Sequence, residues 1–185
     1  RPSHRQFFNP DFFHIILFDQ RGCGQSKPFG KIAGNSTADL STDLEAIRQH
    51  LNIDTWVLFG GSWGAALALL YAQQYQQRVR ALVLRGVFLA RRQDMDWFIT
   101  DGANKIYPEL FEDLLAALPE HAVNERVESL YQTVFGADEE AAIKAAQAWE
   151  AWGSQLAVGA YYDGEEDSGD AEKLLAQVKM ELHYA

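Results

Sequence analysis

Apolar residues in this chain follow two rhythms. Up to about Leu89, short continuous apolar runs alternate with stretches of helical spacing. The runs are 12–18 (Phe12-Phe13-His14-Ile15-Ile16-Leu17-Phe18), 56–60 (Trp56-Val57-Leu58-Phe59-Gly60) and 81–84 (Ala81-Leu82-Val83-Leu84). The run at 56–60 is rich in aromatic and β-branched residues and reads as a strand buried on both faces, and the other two likewise read as buried strands. Between the first two, Leu40, Leu44, Ile47 and Leu51 mark one face of a helix, with Asp43, Glu45 and Arg48 largely off that face. Asn35 to Thr37 supplies caps for its start. After Gly64 the apolar positions again take helical spacing, in good helix formers. Strand, helix, strand, helix, strand over 12–88 is a parallel α/β unit. Beyond Leu89 no further run reads as a buried strand. Helical segments are expected near 94–105, 108–117, 121–134, 138–157 and 170–182, with an acidic, solvated loop over Asp163–Asp170. The division is therefore a core over 1–90 and a mainly helical cap over 91–185.

The sharpest local pattern sits where the second run meets its helix: Gly60-Gly61-Ser62-Trp63-Gly64. A strand that turns directly into a helix must bend sharply, and the apex residue is strained. Glycines two places before and two places after keep backbone from colliding there. The apex hydroxyl of Ser62 then points out of the sheet beside the positive end of a helix, where an alkoxide or oxyanion is stabilised. The competing reading is an ordinary turn with a capping serine. Upstream, Asp19-Gln20-Arg21-Gly22-Cys23-Gly24-Gln25-Ser26 forms a polar, glycine-containing turn that an Asp19–Arg21 pair can brace. Its glycine spacing is not a dinucleotide fingerprint.

Composition narrows the classes. A 48% hydrophobic and 12% aromatic content suits a globular enzyme. A net charge of −10 without a basic stripe argues against nucleic acid. No apolar run has the length of a membrane span. The single cysteine, Cys23, excludes an internal disulfide, fits a reducing, cytoplasmic setting, and reads as a small buried turn residue rather than a reactive thiol.

Three segments occur together, in this order, in proline iminopeptidases: Asp19-Gln20-Arg21-Gly22-x-Gly24-x-Ser26, Gly60-Gly61-Ser62-Trp63-Gly64 and Leu84-Arg85-Gly86-Val87-Phe88-Leu89. The likeness continues at Trp97-Phe98, Gly102-Ala103, Pro108 and Glu181-x-His183-Tyr184. The chain thus resembles that family of α/β-hydrolases, which remove N-terminal proline from peptides. The resemblance implies a partial α/β-hydrolase fold, its sheet mainly parallel, under a helical cap. It implies Ser62 as nucleophile and the backbone N–H of Trp63 as an oxyanion donor. Arg85, Phe88 and Phe98 fall around the prolyl pocket, and Glu181 matches a cap carboxylate that holds the substrate's free amine. Peptides with a free N-terminal proline are the expected partners. Neither a metal nor an organic cofactor is expected, and oligomeric state is left open.

One position departs from the pattern. The family's Trp-x-x-Trp is usually followed by a second glutamate for the amine, whereas Trp149-x-x-Trp152 is followed by Gly153. Glu150, three residues earlier on the same helical side, is the candidate substitute. The family's glycine-rich oxyanion loop is expected before Arg1, and the Asp and His of the triad after Ala185. None of His4, His14, His50, His121 and His183 stands in the position of a catalytic base. These 185 residues alone are accordingly expected to be inactive and poorly stable. Two other classes stay open: an esterase or amidase with a remodelled cap, and a non-catalytic hydrolase-like binding protein.

Overall fold

The computed structural model describes residues 2–119, 125–159 and 170–184. His121 and the acidic loop, apart from Asp170, lie outside them. A short 3₁₀ turn, Pro2–Phe7, opens the chain. Helix α1 (Thr37–His50) starts at Ser36, which makes a reciprocal capping box with Asp39. It leads to strand β1 (Trp56–Ser62), helix α2 (Trp63–Gln74) and strand β2 (Val79–Val87). The two strands pair in parallel, with Phe59 opposite Val83 and Ser62 opposite Val87.

Two expectations about the strands need correction. Residues 12–18 form no strand: the only ladder among the described residues joins β1 and β2, and an apolar run becomes a strand only when a neighbour pairs with it. Nor are β1 and β2 buried on both faces. Trp56, Leu58 and Val79 pack with Leu40, Leu44, Leu67 and Tyr71 beneath α1 and α2. On the opposite face Val57 is 37% exposed and Val83 43%. Only Phe59 is covered there, by His4, Phe7 and Phe8 at ring distances of 5.4–5.7 Å. A continuous apolar run implies two covering layers, and the described residues supply one.

Helix α1 carries a second surprise. Arg48 is buried, and Glu45 nearly so. Glu45 accepts from Arg48 Nε and Nη2 at 2.9 and 2.6 Å and from Tyr71 Oη at 2.8 Å. Arg48 also donates to the carbonyls of Ile53 and Asp54. Charges assigned by periodicity to the outer face are therefore a hydrogen-bonded network beneath the α1–α2 contact.

After Ala90, whose φ is +52°, the described residues form helices joined by turns. It forms α3 (Arg92–Ile99), α4 (Pro108–Ala116), α5 (Arg126–Val134), α6 (Glu139–Val158) and α7 (Ala171–Tyr184). Asp138 caps α6 through the amide of Ala141. The segment expected near 94–105 is α3 followed by a 3₁₀ turn at Ala103–Lys105. These helices enclose their own core, with Ile99, Leu114, Val134, Trp152 and Val178 fully buried at its centre. Trp152 donates Nε1–H to the carbonyl of Phe98 at 3.1 Å, so its one polar group is satisfied inside that core.

Candidate active site

The strand-to-helix turn has the geometry its glycines suggest. Ser62 ends β1, precedes α2 directly, and holds φ +53°, ψ −125°, a conformation that costs a non-glycine residue about 1–3 kcal/mol. Its side chain makes no cap hydrogen bond and the residue is exposed. The capping-serine reading fails on that point. The amide of Trp63 is the first of α2, among the helix N–H groups without an intrahelical acceptor.

The two outer glycines play different parts. A Cβ on Gly60 would lie 2.2 Å from the carbonyl oxygen of Gly64 and 2.6 Å from its carbon, both backbone atoms. A Cβ on Gly64 would meet nothing within 4 Å among the described residues, so the steric demand runs one way. Gly60→Ala should therefore destabilise the fold by about 1–3 kcal/mol, as overpacking does, and thermal melting of the variant would show it. An unchanged midpoint would mean that the elbow opens without cost.

Arg85 and Phe88 lie at the same end of the sheet. Arg85 pairs with Gly61 in register, and a Cβ on Gly61 would stand 3.0 Å from its Nε. Its guanidinium lies over the Phe7 ring, 6.0 Å from the centroid. Phe88 follows Val87, the partner of Ser62, and packs against the helical core. Phe98 lies in that core, 5.4 Å from Trp149 and 6.3 Å from Trp152 ring to ring. Ser62, Trp63, Arg85 and Phe88 are thus gathered at one end of β1 and β2, and Phe98 is held among the aromatics of the helical core.

Glu181 lies on α7. Tyr184, one turn on, stacks on Trp63 with ring centroids 4.9 Å apart and planes at 15°. Glu181 is exposed and accepts from Gln177 Nε2 at 3.3 Å. Glu150, on α6, is half-buried and accepts from Ser154 Oγ at 3.1 Å, and a Cβ on Gly153 would meet nothing within 4 Å among the described residues.

The polar turn before α1 is braced differently from the expected Asp19–Arg21 pair. Arg21 makes a two-pronged contact with Asp43 on α1, at 2.7 and 2.5 Å, and donates to the carbonyl of Gly34 at 2.7 Å. The Asp43 carboxylate holds the Arg21 guanidinium above its ordinary pKa. Asp19 instead closes its own loop, accepting from the amide of Gln25 at 2.9 Å. The two Asp43 oxygens accept Nε and Nη2 in a parallel fork, while the Asp19 carboxylate is engaged by its own loop. Cys23 is half-buried, and desolvation raises its thiol pKa, which agrees with an unreactive turn residue.

Asn35, in the sequence no more than a possible helix cap, is a buried junction in the structure. It is 3% exposed, and its amide donates to the carbonyl of Arg21 at 3.0 Å and to that of Lys31 at 3.3 Å. Tyr184 donates to Asn35 Oδ1, and His183 Nε2 donates to the Asn35 carbonyl at 2.7 Å. Burial pushes the Tyr184 hydroxyl up to about 12, so it remains a donor. The sole signal in the sequence was a polar residue beside, rather than at, the cap. Among the described residues no three His, Cys, Asp or Glu side chains come together as a metal-binding group, and no helix is long and apolar enough to cross a membrane.

A parallel strand pair, a strained serine at the strand-to-helix turn and a separate helical layer define a recognisable class. Residues 6–169 match the family described as alpha/beta hydrolase fold, and the chain belongs to that family. Within it, the chain is similar to the proline iminopeptidase of Neisseria meningitidis serogroup A, 42% identical over 184 residues, 99% of this chain and 58% of the relative. The proline iminopeptidase of Arabidopsis thaliana is 40% identical over 185 residues, 99% of this chain and 49% of the relative. A probable proline iminopeptidase of Leptolyngbya boryana is 44% identical over 151 residues, 82% and 47% of the two chains. The chain spans about half the length of the curated relatives it matches.

Proposed function

We propose that the polypeptide is a serine peptidase that releases N-terminal proline from peptides by acyl transfer through Ser62. The observation that carries this reading is an exposed serine, Ser62, at a positive-φ apex beside a helix N-terminus. The names of the relatives supply the substrate class. Ser62 Oγ attacks the carbonyl of the first peptide bond as a general base takes its proton, and the Trp63 amide donates to the oxyanion of the tetrahedral intermediate; collapse breaks the C–N bond, the shortened peptide leaves with that proton on its amine, and water cleaves the remaining prolyl ester of Ser62. Arg85, Phe88 and Phe98 line the prolyl side, and Glu181 pairs with the substrate ammonium. An exopeptidase needs such an anion, because pairing it with a free amine rejects chains that continue past the N-terminus.

The two hydrophobic cores support a division into a core over 1–90 and a cap over 91–185, meeting at Ala90. A cytoplasmic setting is part of the same reading, resting on one cysteine without a disulfide partner. Gly153, which stands where the resemblance expects a second glutamate for the amine, favours a second reading in which the same machinery cleaves esters or amides that lack the amine.

Glu181 separates the two. In the complete polypeptide, Glu181→Gln should lower kcat/KM for a prolyl anilide by roughly tenfold to more than a hundredfold, the loss of a charge-assisted contact worth about 1.5–3 kcal/mol. Turnover of an amine-less acyl ester should be unchanged. Equal losses on both substrates would remove Glu181 as the amine anchor.

A further inference from the structure

We propose that Asn35 is a positioning residue that holds α7, and with it Glu181, in register with the Ser62 elbow. The inference rests on the reading of Glu181 as the amine anchor.

Asn35 is where three parts of the molecule meet. Its Nδ2 donates to two carbonyls of the loop before α1, those of Arg21 and Lys31, and lies 3.3 Å from Met180 Sδ on α7. Its Oδ1 accepts from Tyr184 and its backbone carbonyl from His183, both on the last turn of α7. The amide thus donates to the loop and toward Met180 while its oxygen accepts from Tyr184, a pairing of donors and acceptor that only Asn or Gln chemistry provides. Aspartate would set a charge against two carbonyl oxygens.

The surroundings make this connection stiff. The loop is fixed to α1 by the Arg21–Asp43 fork and closed on itself by Gly30 N–H donating to the Gly22 carbonyl at 2.8 Å. It lies flat along α7. A Cβ on Gly22 would stand 2.3 Å from Met180 Cε, and one on Gly30 would stand 3.0 Å from Ala176 Cβ. At its far end α7 rests on the elbow through the Tyr184–Trp63 stack. Tyr184 is therefore gripped twice, by Asn35 at its hydroxyl and by Trp63 at its ring face, and Glu181 lies one turn away on the same helix. Releasing the hydroxyl lets α7 shift relative to Ser62. A displacement of about 1 Å between binding and reacting groups can cost roughly a hundredfold in rate.

The test compares Asn35→Ala, Glu181→Gln and the double variant in the complete polypeptide, on a prolyl anilide and on an amine-less acyl ester. Asn35→Ala should lower kcat/KM for the anilide by roughly tenfold or more, with ester turnover kept within about twofold. In the Glu181→Gln background the Asn35 effect should vanish, because the residue acts through Glu181. Tyr184→Phe removes a single hydroxyl and should reproduce the selective loss, which keeps the test open if Asn35→Ala fails to fold. Equal losses on both substrates, or losses that multiply in the double variant, would overturn the positioning role while leaving the amine anchor intact. A wild-type protein that turns over the ester alone, or Glu181→Gln indistinguishable from wild type on the anilide, would overturn the anchor reading and the positioning role with it.

Discussion

Ser62→Ala in the complete polypeptide should cut prolyl anilide hydrolysis by roughly 10⁴- to 10⁶-fold and abolish labelling by a fluorophosphonate. No other described group shares the elbow's geometry: of the three non-glycine residues at positive φ, Asn52, Ser62 and Ala90, Ser62 alone joins a strand end to a helix start. Losing the hydroxyl removes the covalent intermediate, and the donors left behind recover only a small part of the acceleration. Stability should barely move, since the hydroxyl makes no cap hydrogen bond. Ser62→Gly should go further and raise the melting midpoint, because glycine occupies φ +53° without strain. An inactive but more stable variant is the signature of strain kept for chemistry. Residual labelling of Ser62→Ala would place the nucleophile elsewhere, and a destabilised Ser62→Gly would show that the elbow is not strained.

How much of this was legible beforehand depended on whether the information is local. Helix spacing and caps are local, and α1, α4, α6 and α7 fall within a few residues of their expected spans. The elbow is local too, since a side chain at Gly60 would collide with the backbone of Gly64, only four residues on. The failures are non-local. Phe12 to Phe18 has strand composition, but composition does not supply a partner strand, and none pairs with it among the described residues. Arg21 has an aspartate two residues away, yet its fork closes on Asp43, which only folding brings near. Asn35 is unremarkable until α7, some 145 residues later, arrives with Met180 and Tyr184. The residues assigned to the site through family likeness carry the same lesson: Arg85 and Phe88 follow from where β2 ends, whereas the place of Glu181 depends on how α7 docks.

The Glu45–Arg48 pair gives the largest expected effect on stability. Glu45→Gln should lower the melting midpoint of the complete polypeptide by roughly 5–15 °C near neutral pH, the range for breaking a buried pair from one side. The side chains are only 13% and 8% exposed, so the substitution leaves the Arg48 charge shielded from water without its counterion. It also weakens the acceptor of the Tyr71 hydroxyl at the α1–α2 contact. Glu45 is held down to about 2, from an ordinary 4.5, chiefly by its hydrogen bonds from Arg48, with Gln49 and Tyr71 adding to them against the cost of burial. A carboxyl depressed on folding contributes stability that is complete above its unfolded pKa and disappears as pH falls through the folded one. The gap between wild type and Glu45→Gln should therefore be full above about pH 4.5 and close progressively toward pH 2. Thermal melts of both proteins across that window decide the matter. A gap that stays constant down to pH 2 would show that the amide fails by packing or geometry rather than by charge, and equal midpoints at neutral pH would show that the pair adds nothing to the fold.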